Sequence, residues 1–239
     1  MKKLLLVLFL ALSGAVFAAN VEDDVGVYTQ ALAEGKSVDP VLLESLSWKG
    51  ISDPQVFDLI AARVAEQAEE GRSDRRVKKE VAQYMRALGF SGQPKYRPVI
   101  EQYRGDQVYD SYVRDALDDL QNYQRWNPVI SNRATFDPRY SDDVNRVRNM
   151  LLSDDFDLKK IGAKRVYFQN KDEVLLDILA EQLRASYMSN DERKSDSIAW
   201  MVKALGSAHQ SKYRPLIEEV ANNAQEKAIV RHARKALGQ

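Results

Sequence analysis

The side chains that could do chemistry are few and scattered. Cysteine is absent, which removes thiol nucleophiles and thiolate metal sites. His209 and His232 are the two histidines, and two imidazoles without a third ligand at a suitable spacing do not define a metal site. No metal and no cofactor are expected. No serine stands in a nucleophile-elbow pattern, and no glycine-rich loop is placed to hold phosphate. The run Asp154-Asp155-Phe156-Asp157 lacks the spacing and glycine of a calcium loop and reads as helix capping. Carboxylate pairs for glycoside hydrolysis meet in space rather than in sequence, so the chain nominates no catalytic residue.

Residues suited to binding are easier to find. Lys95-Tyr96-Arg97-Pro98 recurs as Lys212-Tyr213-Arg214-Pro215. One reading makes these two equivalent basic-aromatic contacts; the plainer one is a loop turning into a helix, with tyrosine covering the hairpin edge. A second candidate surface is the segment 126–140, which carries Trp126, Arg133, Phe136, Arg139 and Tyr140. Pro128, Pro138 and Asn132 argue against one continuous helix through it, and aromatic and arginine side chains dominate binding hot spots. Alternatively Trp126, Phe136 and Tyr140 seal one half of the chain against the next. Arg72, Arg75, Arg76, Lys78 and Lys79 form a basic cluster that reads as a solvated face, and no nucleic acid is expected as a partner.

The elements that must position these residues emerge when the chain is compared with itself. Ala87-Leu88-Gly89 returns as Ala204-Leu205-Gly206, an offset of 117 (204 − 87) shared by the Lys-Tyr-Arg-Pro motifs. Upstream, Val56-Phe57-Asp58-Leu59-Ile60-Ala61 matches Leu175-Leu176-Asp177-Ile178-Leu179-Ala180 at 119 (175 − 56). A two-residue difference in one loop between Ala61 and Val81 accounts for the change. Residues 20–125 and 141–239 are therefore two related halves, with 126–140 as the connection between them.

Within each half the apolar residues keep a helical period. Val56, Leu59, Ile60 and Val64 share a face, as do Leu175, Ile178, Leu179 and Leu183; Val77, Val81, Met85 and Leu88 form the next stripe, matched by Ile198, Met201, Val202 and Leu205. Gly89 and Gly206 are read as left-handed C-terminal stops, and Pro98 and Pro215 as first-turn prolines. No period-two run bounded by hairpin turns is present, so a sheet is not expected. Each half reads as about three helical hairpins.

Ile229-Val230-Arg231-His232-Ala233-Arg234-Lys235-Ala236-Leu237-Gly238 resembles the second helix of a HEAT-like repeat, and Val113-Arg114-Asp115-Ala116-Leu117 is a looser version. The resemblance is to the phycobilisome-lyase-type HEAT repeats and spans most of 53–120 and 172–239. It implies an all-α fold, an α-solenoid of HEAT-like helical hairpins, that usually binds another protein and has some enzymatic relatives of the phycobilin lyase type. It implies no shared catalytic residue. Stacked hairpins bury each other's apolar stripes and leave an extended surface suited to macromolecular partners.

The N-terminus sets the compartment. Met1-Lys2-Lys3, the apolar run from Leu4 to Phe17 and the small residues around Ala18-Ala19 read as a signal peptide over residues 1–19. The run is shorter than the roughly 20 apolar residues of a spanning helix, so no stable membrane anchor is expected after cleavage. Paired lysines and brevity point to a bacterial signal and a periplasmic or secreted protein. Charge is neutral: 35 basic against 35 acidic residues overall, or 33 − 35 = −2 once Lys2 and Lys3 are removed. The function expected from the sequence is an exported scaffold binding a protein or envelope polymer through a curved helical surface; the alternative is an enzyme acting on an envelope polymer or other ligand through carboxylates that the sequence does not identify.

Overall fold

The computed structural model describes residues 21–34, 37–169 and 171–238. The expected signal peptide, residues 1–19, lies outside the described residues. Among the described residues there is no strand, and no helix is long and apolar enough to cross a membrane.

Among the described residues, six helices form each half. The first contains α1 (Val21–Ala33), α2 (Pro40–Lys49), α3 (Pro54–Gln67), α4 (Arg75–Phe90), the short α5 (Arg97–Glu101) and α6 (Asp110–Ile130). The second contains α7 (Asp142–Leu152), α8 (Phe156–Phe168), α9 (Glu173–Ser186), α10 (Glu192–Ser207), α11 (Arg214–Asn223) and α12 (Lys227–Ala236). Helix starts repeat the sequence offsets, 119 from α3 to α9 (173 − 54) and 117 from α4 to α10 (192 − 75). The two extra residues lie between Gln67 and Arg75, where a 3-10 turn, Glu70–Arg72, has no counterpart in the second half. The chain is a tandem duplication folded as an α-solenoid of helical hairpins.

Even-numbered helices stack along one layer, α2 on α4 on α6 and α8 on α10 on α12, while α1 packs on α3 and α7 on α9 in the other. Aspartates start the helices: Asp39, Asp53, Asp74, Asp155 and Asp191 each accept a backbone N–H of the first turn, satisfying donors that a helix start otherwise leaves open. Pro98 and Pro215 sit in first turns as their fixed φ allows.

The expected role of Gly89 and Gly206 needs correction. Both lie inside their helices, and neither has positive φ. A Cβ on Gly89 would come 2.6 Å from the Ala116 carbonyl oxygen of α6, and one on Gly206 would come 2.5 Å from Ala236 Cβ of α12. They are glycines because neighbouring helices cross there at close range. The left-handed residue comes three positions later, at Gly92 with φ 63°. Its counterpart at offset 117 is His209, a non-glycine residue with φ 52°.

The connection 126–140 is also not one loop. Helix α6 continues through Trp126 and Pro128 to Ile130. Burial overrides the proline: Tyr123, Trp126, Asn127 and Ile130 are all buried, and the Asn127 amide donates to the carbonyl oxygens of Phe90 and Ser91, 2.9 and 3.1 Å away. Those contacts hold the last turn against the loss of one ladder bond.

The halves are joined through α7. Arg146, 2% exposed, holds Asp24 at 2.7 Å and Asp143 at 2.8 Å, and Lys49 reaches the same two carboxylates at 3.1 and 2.8 Å. Burial works against an ionised Asp143, but Lys49 and Arg146 outweigh it and hold its carboxyl below the usual range. Met150 of α7 and Leu158 of α8 are counted in the first half's hydrophobic core. The joint is thus apolar at its centre and ionic at its edge.

Candidate functional site

Where the even-numbered helices of the two halves meet, they line a single groove of about 960 Å³. Trp48 and Glu44 come from α2, Gln83, Arg86 and Phe90 from α4, and Asp119, Tyr123 and Trp126 from α6. Facing contributions are Asp157, Lys160, Lys164, Arg165 and Phe168 from α8 and Trp200 from α10. All three tryptophans of the chain therefore line it. Trp48 and Trp200 lie off the buried stripes of their helices, which are Leu43, Leu46 and Ser47 in α2 and Ile198, Met201, Val202 and Leu205 in α10.

The aromatic rings carry cations. The guanidinium carbon of Arg165 sits 3.6 Å from the Trp48 ring centroid, Lys203 and Lys164 stand 4.0 and 5.1 Å from that of Trp200, and Arg86 lies 5.3 Å from that of Phe90. Cation and ring attract through the ring quadrupole, more strongly where water is excluded. Burial brings Arg165 down to about 10, still a cation at neutral pH, and its Nε is buried without a hydrogen-bond partner.

Acids stand on the first-half wall. Asp119 is pushed up to about 6, first by burial, against the pull of Arg86 and with help from Asp115, Glu44 and Asp118. The Arg86 Nε lies 3.9 Å from its carboxylate. Its position is informative, because a Cβ on Gly89 would come 2.8 Å from Asp119 Cβ, whereas the residue meeting Gly206 in the second half is Ala236. The duplicated crossing is apolar in one half and carries an acid in the other. Of the other acids lining the groove, Glu44 is tied to Arg86 at 3.0 Å and Asp157 to Lys160 at 3.0 Å, so neither stands free to complete an acid–base pair with Asp119. Among the described residues no group of three or more His, Asp or Glu side chains could hold a metal ion.

The sequence-nominated residues fall mostly elsewhere. Tyr96 and Tyr213 are each 2% exposed, and their hydroxyls donate to Asp58 and Asp177 at 2.8 and 2.9 Å. Lys95 and Lys212 pair with the same two carboxylates at 2.8 and 2.7 Å, and Arg97 and Arg214 pair with Glu101 and Glu218 one turn on. The twin motif is a lock repeated once per half, lysine and tyrosine gripping an aspartate of α3 in the first half and of α9 in the second. Lys212 and Tyr213 hold Asp177 below its ordinary range, and burial together with that carboxylate pushes Tyr213 up to about 12.

In the connecting segment, Trp126 is 6% exposed and its indole N–H donates to Asp155 at 2.8 Å, bridging α6 to the start of α8. Arg133 pairs with Asp142 at 2.6 Å and lies over Phe136. Arg139 pairs with Asp137 at 2.6 Å, and Tyr140 packs on the second core. Of all the nominated residues only Trp126 reaches the groove. Trp48, Asp119, Lys164, Arg165 and Trp200 were missed; the available signal was a tryptophan displaced from a helix's apolar stripe.

No protein-family model matches this chain, and no curated protein does. Among solved structures it is similar to human deoxyhypusine hydroxylase in complex with glycerol. The identity is 13% and the TM-score 0.38, over 90% of this chain and 83% of that one. No activity, ligand or site is carried over from a likeness of that size.

Proposed function

We propose that this chain is an exported scaffold that binds a macromolecular partner, a protein or an envelope polymer, in the groove between its two halves. The observation that carries the reading is the gathering of all three tryptophans with Lys164 and Arg165, two cations without a carboxylate at ion-pair distance among the described residues, in one groove built by both halves. A surface that only needed solvation would not hold large aromatic rings beside unneutralised charge. Aromatic and arginine side chains in a partly desolvated groove are the make-up of binding hot spots. Apart from Asp119, both acids lining the groove are paired, Glu44 with Arg86 and Asp157 with Lys160, which supports binding over hydrolysis by a carboxylate pair. Export rests on the N-terminal residues 1–19, and N-terminal sequencing of the protein recovered from a cell-envelope fraction tests it.

The groove is tested by placing a photo-crosslinking residue at Phe168, 67% exposed and on its rim, and separately at Met188, 50% exposed and outside it. Discrete adducts from position 168 that are absent from position 188 support the reading. Equal or absent adducts at both positions overturn it.

A further inference from the structure

We propose that the groove takes an extended polypeptide segment, and that an acidic side chain or terminal carboxylate of that segment seats on Lys164 and Arg165. This rests on the groove being the binding surface and deepens that reading by naming the ligand's chemistry.

The first argument is charge left over. Arg86 is paired with Glu44 and Asp119, and Lys160 with Asp157 and Asp196. Lys164 and Arg165 have no carboxylate within ion-pair distance among the described residues; each lies against a ring, of Trp200 and Trp48, and Arg165 feels Asp143 only beyond that distance. A cation held against an aromatic face without a carboxylate in contact can take one from a ligand through a charge-assisted hydrogen bond.

The second argument separates ligand classes. A saccharide docks on an aromatic ring by laying its own face against it, so the ring must be open. Here Arg165 covers Trp48, Lys203 and Lys164 attend Trp200, and Arg86 attends Phe90. The rings support cations rather than offer themselves. A uniform polyanion is disfavoured for a different reason: the α2 and α6 wall presents Glu44 and Asp119, and Asp118 and Asp115 add to the negative field felt at Asp119. Like charges brought against that wall cost energy. A polypeptide can place a carboxylate at one wall and backbone N–H groups or a basic side chain at the other.

The third argument is size. A groove of about 960 Å³ is at the top of the range of about 300–1,000 Å³ usual for small-ligand pockets. It holds a short run of extended residues and not a folded domain.

The test uses the mature protein and its own tryptophan fluorescence, followed by calorimetry. The probes are a short acetylated and amidated peptide with two glutamates among alanines and leucines, the same peptide with glutamines, sodium polyphosphate and polygalacturonate. Saturable binding of the glutamate peptide is expected, weakened at least tenfold in the glutamine peptide and several-fold in each of Arg165→Met and Lys164→Gln. Thermal melts of the two variants confirm that they are folded, and Lys164→Gln serves if Arg165→Met is not. Equal binding of the two peptides, no binding of either, or preference for polyphosphate or polygalacturonate overturns the proposal. Groove-specific adducts from position 168 together with failed peptide binding would leave the scaffold standing and remove only the peptide.

Discussion

Asp119→Asn isolates the one groove acid whose protonation the fold has moved. Burial raises its carboxyl from 3.8 to about 6, a difference of about 2 units, or roughly 3 kcal/mol at about 1.4 kcal/mol per unit. That figure is an upper value, because the side chain keeps 27% of its exposure and water screens part of the effect. The sign follows from linkage. The folded state binds the proton more tightly than the unfolded chain, so stability is highest below the unfolded pKa and is lost as pH rises from about 4 through about 6. Asparagine fits the same space and does not titrate. Urea denaturation of both proteins from about pH 4 to about pH 8 should give near-equal stabilities at the acid end. Above about pH 7 the variant should be the more stable by up to about 3 kcal/mol. Parallel stability profiles across the window would refute the assignment, since they would mean that Asp119 titrates alike in the folded and unfolded chain.

Three further outcomes follow from the packing. Gly92→Ala and His209→Gly should act in opposite directions although the positions correspond: a Cβ at Gly92 would meet Gln124 N and Tyr123 C at 2.6 Å at positive φ, costing more than about 1 kcal/mol, while glycine relieves left-handed strain of about 1 kcal/mol at His209. Denaturation midpoints moving the same way for both would contradict this. The double variant Trp126→Ala with Arg133→Ala should lower the melting temperature, because the indole bridges to Asp155 and the guanidinium to Asp142; an unchanged melt would deny both bridges a structural role. Leu88→Ala and Leu205→Ala, at side chains 0% and 1% exposed, should each cost roughly 2–5 kcal/mol, and an unshifted urea midpoint would place those residues on the wrong face.

What the amino-acid sequence determined by itself is whatever depends on neighbours within a few turns of chain. The 3.6-residue stripes and the repeat offset survive intact in α3, α4, α9 and α10, and the first-turn prolines in α5 and α11, because helix faces are set by local spacing. Loop length was legible too, as the two extra residues sit in the loop between α3 and α4. The tertiary structure decided everything that depends on what lies across the fold. Gly89 is glycine because α6 passes over it, and Gly92 because the last turns of α6 lie against it. Pro128 stays helical because buried neighbours hold that turn. The groove is the extreme case. Arg165 of the second half meets Trp48 of the first only where α7 locks the halves together through Arg146. Contacts between residues so far apart in the chain are set by the packing of whole helices, and no local spacing rule encodes them.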